Sequence, residues 1–544
     1  MLKTAVAVAL YAFVASAAPS SRSSPTVTLD AGTFVGSISG RSNKYLGIPF
    51  AKAPTGDLRF RLPVANDPYV GTHQATSFGL SCPQQAFNFD LQNAVVSDVA
   101  NDVINTFYSL VTPSGEDCLN LNVWTPSNVP KGTKLPVAVW IFGGGFEIGS
   151  PEIYDGGVIV DRSIDMGTPV VYVSINYRVS AYGFLGGKEV KAAGVGNLGL
   201  QDQRQALRWV QKYISAFNGD PTKVTIWGES AGAISASLHL LANNGNTEGL
   251  FRGAYMESGA PIPVGDIANG QSGYDQIVQK TGCAGSADTL QCLRQVPYAT
   301  LKAAVDQAPA LLGPTGLNIA FTPRADGVFL TDAPQALVTK GVIANVPFVS
   351  GNNDDEGTLF TLSLTNITTE AQFSAYIKSE YLSTASTSSV NQVLQLYPQS
   401  ISAGSPFDTG ILNALSPQFK RLASFQGDLV FQAPRRYFLQ QRSDKQPTWS
   451  YLSKRFKATP FLGSFHATDL LNVYTAGDMS DYVINFVNNL DPNGPTVTHW
   501  PKYTNAKPQL LTFLDGLIPR IITQDDYRVD QMKFLTELSL QAPI

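Results

Sequence analysis

The sequence predicts an α/β chain organised on a large, mostly parallel, doubly wound sheet with helices on its faces. Three observations carry the prediction. Residues 135–142 and 169–175 are short runs, apolar almost throughout, as strands buried on both faces must be. Residues 198–214 are helix-like and carry Ala206, Leu207, Trp209, Val210, Tyr213 and Ile214 as an apolar set. The β-branched run Val224-Thr225-Ile226-Trp227 then leads through Gly228-Glu229-Ser230-Ala231-Gly232 into a second helix-like stretch, residues 233–241. Buried strands alternating with helices build a doubly wound sheet.

Composition fits one large globular domain with insertions. The chain has 544 residues, 44% of them hydrophobic, and a net charge of -4 with both signs well represented, which excludes disorder and gives no sign of a nucleic-acid partner. No low-complexity linker, charge block or repeat follows the first 25 residues.

The start reads as a secretory signal peptide over residues 1–17: Met1-Leu2-Lys3, an apolar run at 4–14, then Ala15-Ser16-Ala17. That run is too short to span a bilayer, and no other segment is long and apolar enough, so the expected product is a secreted, extracellular protein with a single domain over 18–544. Secretion makes Cys82, Cys118, Cys283 and Cys292 candidates for two disulfides, for which four cysteines allow three connectivities. Sequential pairing is the option of low loop entropy. Asn366-Ile367-Thr368 is a glycosylation sequon expected on an exposed loop.

Taken in order, residues 26–29, 33–38 and 44–48 are glycine-punctuated strand formers and suggest a small antiparallel lead-in sheet. Between the first two cysteines, over residues 83–117, Phe87, Leu91, Val95, Val99, Val103 and Phe107 recur every four residues beside the row Val96, Ala100, Ile104 and Tyr108. This is a broad apolar stripe on an amphipathic helix. One reading is a surface helix packed on the core. The other is a disulfide-anchored lid that hides its apolar face over a site and exposes it at a lipid–water interface. The opposite face holds Asp98 and Asp102, and residues 83–116 contain no lysine or arginine, so uncharged lipid or ester particles suit it better than anionic membranes.

The run at 135–142 delivers Gly143-Gly144-Gly145-Phe146, where the backbone can approach a ligand closely and turn its N–H groups inward, as a developing oxyanion needs. Further strands are expected at 251–256, 346–350, 449–452 and 510–513. A closing helix beyond residue 525 would use Met532, Phe534, Leu535 and Leu538.

Ser230 stands at a sharp strand-to-helix turn, with glycines two residues to either side because the returning chain must pass close to the strand. A serine needs an adjacent base, and the chain offers four histidines. His239 lies within the helix leaving the turn, His73 precedes the main strand order, and His499 sits beside Trp500-Pro501. That leaves His466, in a loop after a late strand. For the acid, Asp354, Asp355 and Glu356 follow the strand at 346–350 and give the order serine, acid, histidine expected of α/β-hydrolases. Spacing does not choose among the three.

From about residue 27 to the C-terminus the chain resembles the type-B carboxylesterase family, which includes fungal extracellular lipases, sterol esterases and cholinesterases. The resemblance is carried by Tyr45-Leu46-Gly47-Ile48-Pro49-Phe50, Glu116-Asp117-Cys118-Leu119-Asn120-Leu121-Asn122-Val123, Gly143 to Phe146, Gly196-Asn197-Leu198-Gly199-Leu200-Gln201-Asp202-Gln203, Gly228 to Gly232, Asp355-Glu356-Gly357 and the His466 loop. It implies the α/β-hydrolase fold, with Ser230 as nucleophile, Glu356 as acid and His466 as base. It implies Gly144, Gly145 and Ala231 as backbone oxyanion donors, Ser258 near the acid and histidine, and the sequential disulfides. Phe146, Leu359 and Phe360 are candidate acyl-site residues by the same analogy. The insertion matches in length that of fungal lipases whose lid lies there. One departure is Asn218, where the family usually has glycine.

The expected activity is hydrolysis of lipid esters, triacylglycerols or sterol esters, through an acyl-enzyme on Ser230. An esterase for soluble aromatic or short-chain esters is the alternative within the class, and an inactive cholinesterase-like binding module the alternative outside it. No metal-ligand cluster and no dinucleotide fingerprint is present, so no cofactor is expected.

Overall fold

The computed structural model describes residues 23–86 and 113–543. The signal-peptide reading and the stripe of Phe87, Leu91, Val95, Val99, Val103 and Phe107 lie outside the described residues. The N-terminal strands are β1 (Thr26–Leu29), β2 (Ala31–Val35), β3 (Ser37–Ser39), β4 (Ser42–Pro49) and β5 (Val70–Gln74). Next come β6 (Asn120–Pro126), β7 (Leu135–Ile141), β8 (Val171–Ile175), β9 (Gly219–Glu229) and β10 (Gly253–Glu257). The rest are β11 (Phe348–Asn353), β12 (Thr448–Trp449), β13 (Tyr451–Ser453), β14 (Gln509–Phe513) and β15 (Arg520–Gln524).

The large sheet has 12 strands in the order β15-β14-β13-β11-β10-β9-β7-β8-β6-β4-β3, with β12 beside β11. From β8 to β14 every pairing is parallel, and antiparallel strands close both edges. Every residue of β7, β8 and β10 is buried, which is why those segments lack the alternation of a half-exposed strand.

The lead-in sheet differs from the antiparallel one expected. It is a mixed three-stranded sheet, β1 antiparallel to β2 and β2 parallel to β5. The run 33–38 breaks at Gly36, where a Cβ would lie 2.5 Å from the Lys44 carbonyl oxygen. Beyond that crossing, β3 and β4 leave the small sheet and pair at the edge of the large one, β4 on β6.

The helix Leu198–Tyr213 buries Leu200, Ala206, Leu207, Trp209 and Val210, and the closing helix Val529–Gln541 buries Met532, Leu535 and Leu538. Asn218, just before β9, has φ 66°, a left-handed conformation that asparagine tolerates better than most residues, and its Oδ1 accepts the Gly132 N–H. That explains the departure from glycine. A rod from Phe419 to Arg442 carries a π turn at Asp428–Gln432, which brings Val430 and Phe431 to the wall of the cleft described below. Both disulfides are sequential, Cys82–Cys118 and Cys283–Cys292. Asn366 is exposed in a loop.

Candidate active site

The segment 219–229 forms a strand because Val224, Ile226 and Trp227 fit between two parallel neighbours, and the chain from Ala231 folds back over it as a helix that breaks at Ala242. Ser230 stands at the apex with φ 54° and ψ -124°. The flanking glycines have measurable reasons. A Cβ on Gly232 would lie 1.9 Å from the Ile141 carbonyl oxygen, and one on Gly228 would lie 2.5 Å from the Gly232 carbonyl carbon. The apex holds because the Ser230 N–H donates to the Glu257 carbonyl and its own carbonyl accepts from Ile234.

Ala231 opens the helix, where first-turn N–H groups have no intrahelical acceptor. Opposite it, Gly144 and Gly145 have φ 108° and 63°, and Gly143 is so close that a Cβ there would lie 2.8 Å from the Ser230 Cβ. Gly145, Ser230, Ala231 and His466 line one largely apolar cleft. Its walls include Phe146, Leu311, Ile319, Leu359, Phe360 and Phe431.

His466 Nδ1 lies 2.5 Å from Glu356 Oε2. Glu356 Oε1 accepts the Asn353 backbone N–H at 2.7 Å and the Asn352 amide at 3.2 Å. The other two acids of the run are engaged elsewhere. Asp355 accepts from Ser405, Phe407 and Ser464 and pairs with Lys457, and Asp354 also pairs with Lys457. Geometry therefore places Glu356, of the three acids that spacing left open, against the histidine. The rings of Phe431 and Phe360 lie 4.6 and 5.1 Å from the His466 ring and hold it in an apolar setting.

The remaining histidines stand apart. His239 is fully buried in its helix against Gln203, His73 stacks on Phe34, and His499 is exposed. Ser258, also at positive φ, reaches the acid through Asn353, whose amide donates to Ser258 Oγ and Asp469 Oδ1.

Three neighbours of the site escaped the sequence reading. Asn353 links Glu356, Ser258, Asp469 and Thr468. Asp469, three residues after His466, also accepts from the Tyr451 hydroxyl. Glu229, the residue before the serine, sets its Oε1 3.3 Å from His466 Nε2 at an angle outside hydrogen-bond geometry. Neither atom has a hydrogen bond among the described residues. Burial, and then the carboxyls of Asp469, Glu356 and Glu257, push Glu229 well above the usual carboxylate range. The one sequence signal was adjacency to the motifs.

Comparison with known proteins agrees with this geometry. Residues 23–525 match the Carboxylesterase family. The chain is 43% identical over 504 residues to secreted lipase 1 of Botryotinia fuckeliana, covering 89% of this chain and 88% of the relative. It is 40% identical over 529 residues to a secreted triacylglycerol lipase of Gibberella zeae, covering 94% and 90%. The crystal structure of Aspergillus niger EstA superposes with a TM-score of 0.81 at 26% identity, covering 96% of this chain and 99% of that one. An apex serine, an acid-bound histidine and a glycine loop on a doubly wound sheet thus sit in a chain that belongs to the carboxylesterase family, an α/β-hydrolase acting on carboxylic esters.

Proposed function

We propose that this is a secreted serine hydrolase of lipid esters, triacylglycerols or sterol esters, working through an acyl-enzyme on Ser230. The observation that carries the reading is the 2.5 Å contact of His466 Nδ1 with Glu356 Oε2 at the wall of the cleft that holds Ser230. Glu356 keeps the Nδ1 proton in place and stabilises the imidazolium, leaving Nε2 to take the Ser230 hydroxyl proton as Oγ attacks the ester carbonyl. The N–H groups of Gly144, Gly145 and Ala231 stabilise the resulting oxyanion. His466 returns the proton to the departing alcohol, and water attacks the acyl-enzyme by the same route.

The apolar cleft walls suit a hydrocarbon acyl chain, and the relatives named above are called lipases. Residues 83–117 act in this reading as a lid anchored by Cys82–Cys118, residues 1–17 as the signal peptide of the 18–544 domain, and Asn366 as a glycan acceptor.

Ser230→Ala is the test. It should abolish p-nitrophenyl ester turnover and organophosphonate labelling, and undiminished turnover would sink the assignment. Rates on triolein emulsion, a sterol oleate and a methyl hydroxycinnamate then rank the substrate classes. Preference for the hydroxycinnamate would overturn the lipid reading while leaving the serine mechanism intact.

A further inference from the structure

Glu147 follows the glycine loop directly and is 1% exposed. Its Oε2 accepts the Leu311 backbone N–H at 2.6 Å, while its Oε1 is buried with no hydrogen bond among the described residues. Leu311, the donor, is close to the site. It lies against the loop's third glycine, since a Cβ on Gly145 would come within 3.0 Å of Leu311 Cδ2, and it packs in one apolar cluster with Leu359, Phe360 and Phe431. Two of those, Phe360 and Phe431, are the rings against His466.

The Glu147 backbone points to a third structure. Its carbonyl accepts the Gln85 N–H at 3.0 Å, and the Gln85 amide donates to the Ala308 carbonyl at 3.0 Å. Gln84 exchanges hydrogen bonds with Gly149 in the same loop, and Ala86 donates its N–H to Asp306. The chain leaving Cys82 is thereby stitched both to the glycine loop and to the 306–311 segment. A loop in which Gly144, Gly145, Phe146 and Gly149 all have positive φ needs such outside support.

We propose that Glu147 is a positioning residue: by holding Leu311 over Gly145 it joins the oxyanion loop, the acyl wall and the stem of the Cys82–Cys118 segment into one unit. The inference rests on the reading of Ser230 and its oxyanion donors given above.

Burial pushes the Glu147 carboxyl up to about 8, against the opposing Leu311 N–H. At neutral pH it is therefore mostly protonated. Among the described residues, the charged or titratable groups on neighbouring elements are Glu229 against Gly143, Asp306 paired with Lys302, Tyr182 on the helix whose Ser180 N–H donates to the Phe146 carbonyl, and His466, Tyr381 and Arg324 across the cleft. None contributes to the shift, so ionisation places a charge without a counter-ion at a buried position behind Leu311. Oxyanion geometry should loosen as pH rises through this value.

The test compares wild type, Glu147→Gln and Glu147→Ala on p-nitrophenyl butyrate from pH 6 to 9.5, with kcat expressed per site labelled by an organophosphonate. That normalisation removes misfolded protein. Glu147→Ala should lose about 10-fold in kcat with KM changed less than about 3-fold, the signature of an interaction used in the transition state. Glu147→Gln should stay within about 3-fold of wild type at pH 7, because its amide oxygen still accepts from Leu311, and should lack the wild type's alkaline fall in kcat. Unchanged kcat per labelled site in Glu147→Ala, or an alkaline fall retained in Glu147→Gln, overturns the proposal. An unlabelled wild type overturns the Ser230 reading and this inference with it.

Discussion

The backbone N–H of Asn353 donates to Glu356 Oε1 at 2.7 Å while the Asn353 side chain bonds Ser258 and Asp469. One residue thus aims the proposed catalytic acid and ties it to β10 and to the His466 loop. Asn353→Ala keeps the backbone bond but strands buried partners. A stability loss of about 1–3 kcal/mol is expected, with kcat falling about 10-fold and KM little changed, measured by thermal unfolding and ester kinetics together. An unchanged kcat would show that the side chain does not orient Glu356.

Glu356→Gln preserves shape but removes the charge facing His466 Nδ1. The amide can present an N–H where the ring needs an acceptor, favouring the wrong tautomer. By analogy with other triads, kcat should fall roughly 10⁴-fold at pH 7, with near-ultraviolet circular dichroism unchanged. A loss under 10-fold would mean that His466 is oriented by something other than Glu356.

How much of this was legible in the sequence depended on where polar groups find their partners. The strands β7 and β8 and the Ser230 turn were readable because local apolar runs and glycines dictate them. Strand β6 was not, since Asn120 and Asn122 interrupt its apolar run although both are buried. Asn122 is satisfied by Gly47 and Ser174, and Asn120 by Asn176 and Leu80 besides its neighbour Cys118, so most of these partners lie far along the chain. Asn353 and Glu147 were hidden for the same reason, their partners lying up to 116 and 164 residues away. The choice of Glu356 over Asp354 and Asp355 rests on Lys457, 102 residues beyond Asp355, which local spacing could not reveal.

Gly232→Ala tests the turn itself. Its Cβ would fall 1.9 Å from the Ile141 carbonyl oxygen, a backbone atom in the middle of the sheet that cannot yield. Overpacking of this kind costs more than the roughly 1–3 kcal/mol typical of cores, so soluble expression should collapse. Gly285→Ala, at a position where a Cβ meets nothing within 4 Å among the described residues, is the control and should express normally. Equal yields would refute the steric account.

Stability should decline from mildly acid to alkaline pH. Burial raises the carboxyls of Glu147, Glu229 and Glu257, so each binds its proton in the folded state at pH values where the unfolded chain has released it. Stability from such groups is complete below the unfolded value and is lost as pH rises through the folded one. For Glu147 the window runs from the ordinary glutamate value of 4.5 to about 8, and a shift of that size is worth on the order of 5 kcal/mol. Asp525 works the other way. Burial would raise it, but Arg435 and Arg436 overcome that and hold it below the ordinary range, so its contribution is lost only in acid. Melting temperatures from pH 4 to 9.5 should fall on the alkaline side, and Glu147→Gln should flatten that limb. A wild-type melting temperature that rises between pH 6 and 9 would contradict the assignment of these acids as neutral.

Acyl-chain preference should be set by the cleft wall away from the rings that touch His466. Ile319 belongs to that wall and is also a partition, since with Asn318 and Tyr381 it borders a separate polar groove lined by Ser272, Gln276 and Glu380. It is buried in the same apolar cluster as Leu311 and Leu312. Ile319→Trp adds bulk where an extended hydrocarbon chain would lie, without touching Ser230, Glu356 or His466. A short acyl group needs little of the cleft, so kcat/KM on the butyrate ester should stay within about 3-fold of wild type. A long chain loses buried methylenes at about 0.8 kcal/mol each, and excluding two or three of them lowers kcat/KM on the palmitate ester by about 10- to 50-fold. The ratio of the two rates, measured on p-nitrophenyl esters in one detergent buffer, isolates the wall from general damage. If both esters lose equally, Ile319 supports the fold and does not meet the acyl chain. If neither changes, the chain takes another path out of the cleft.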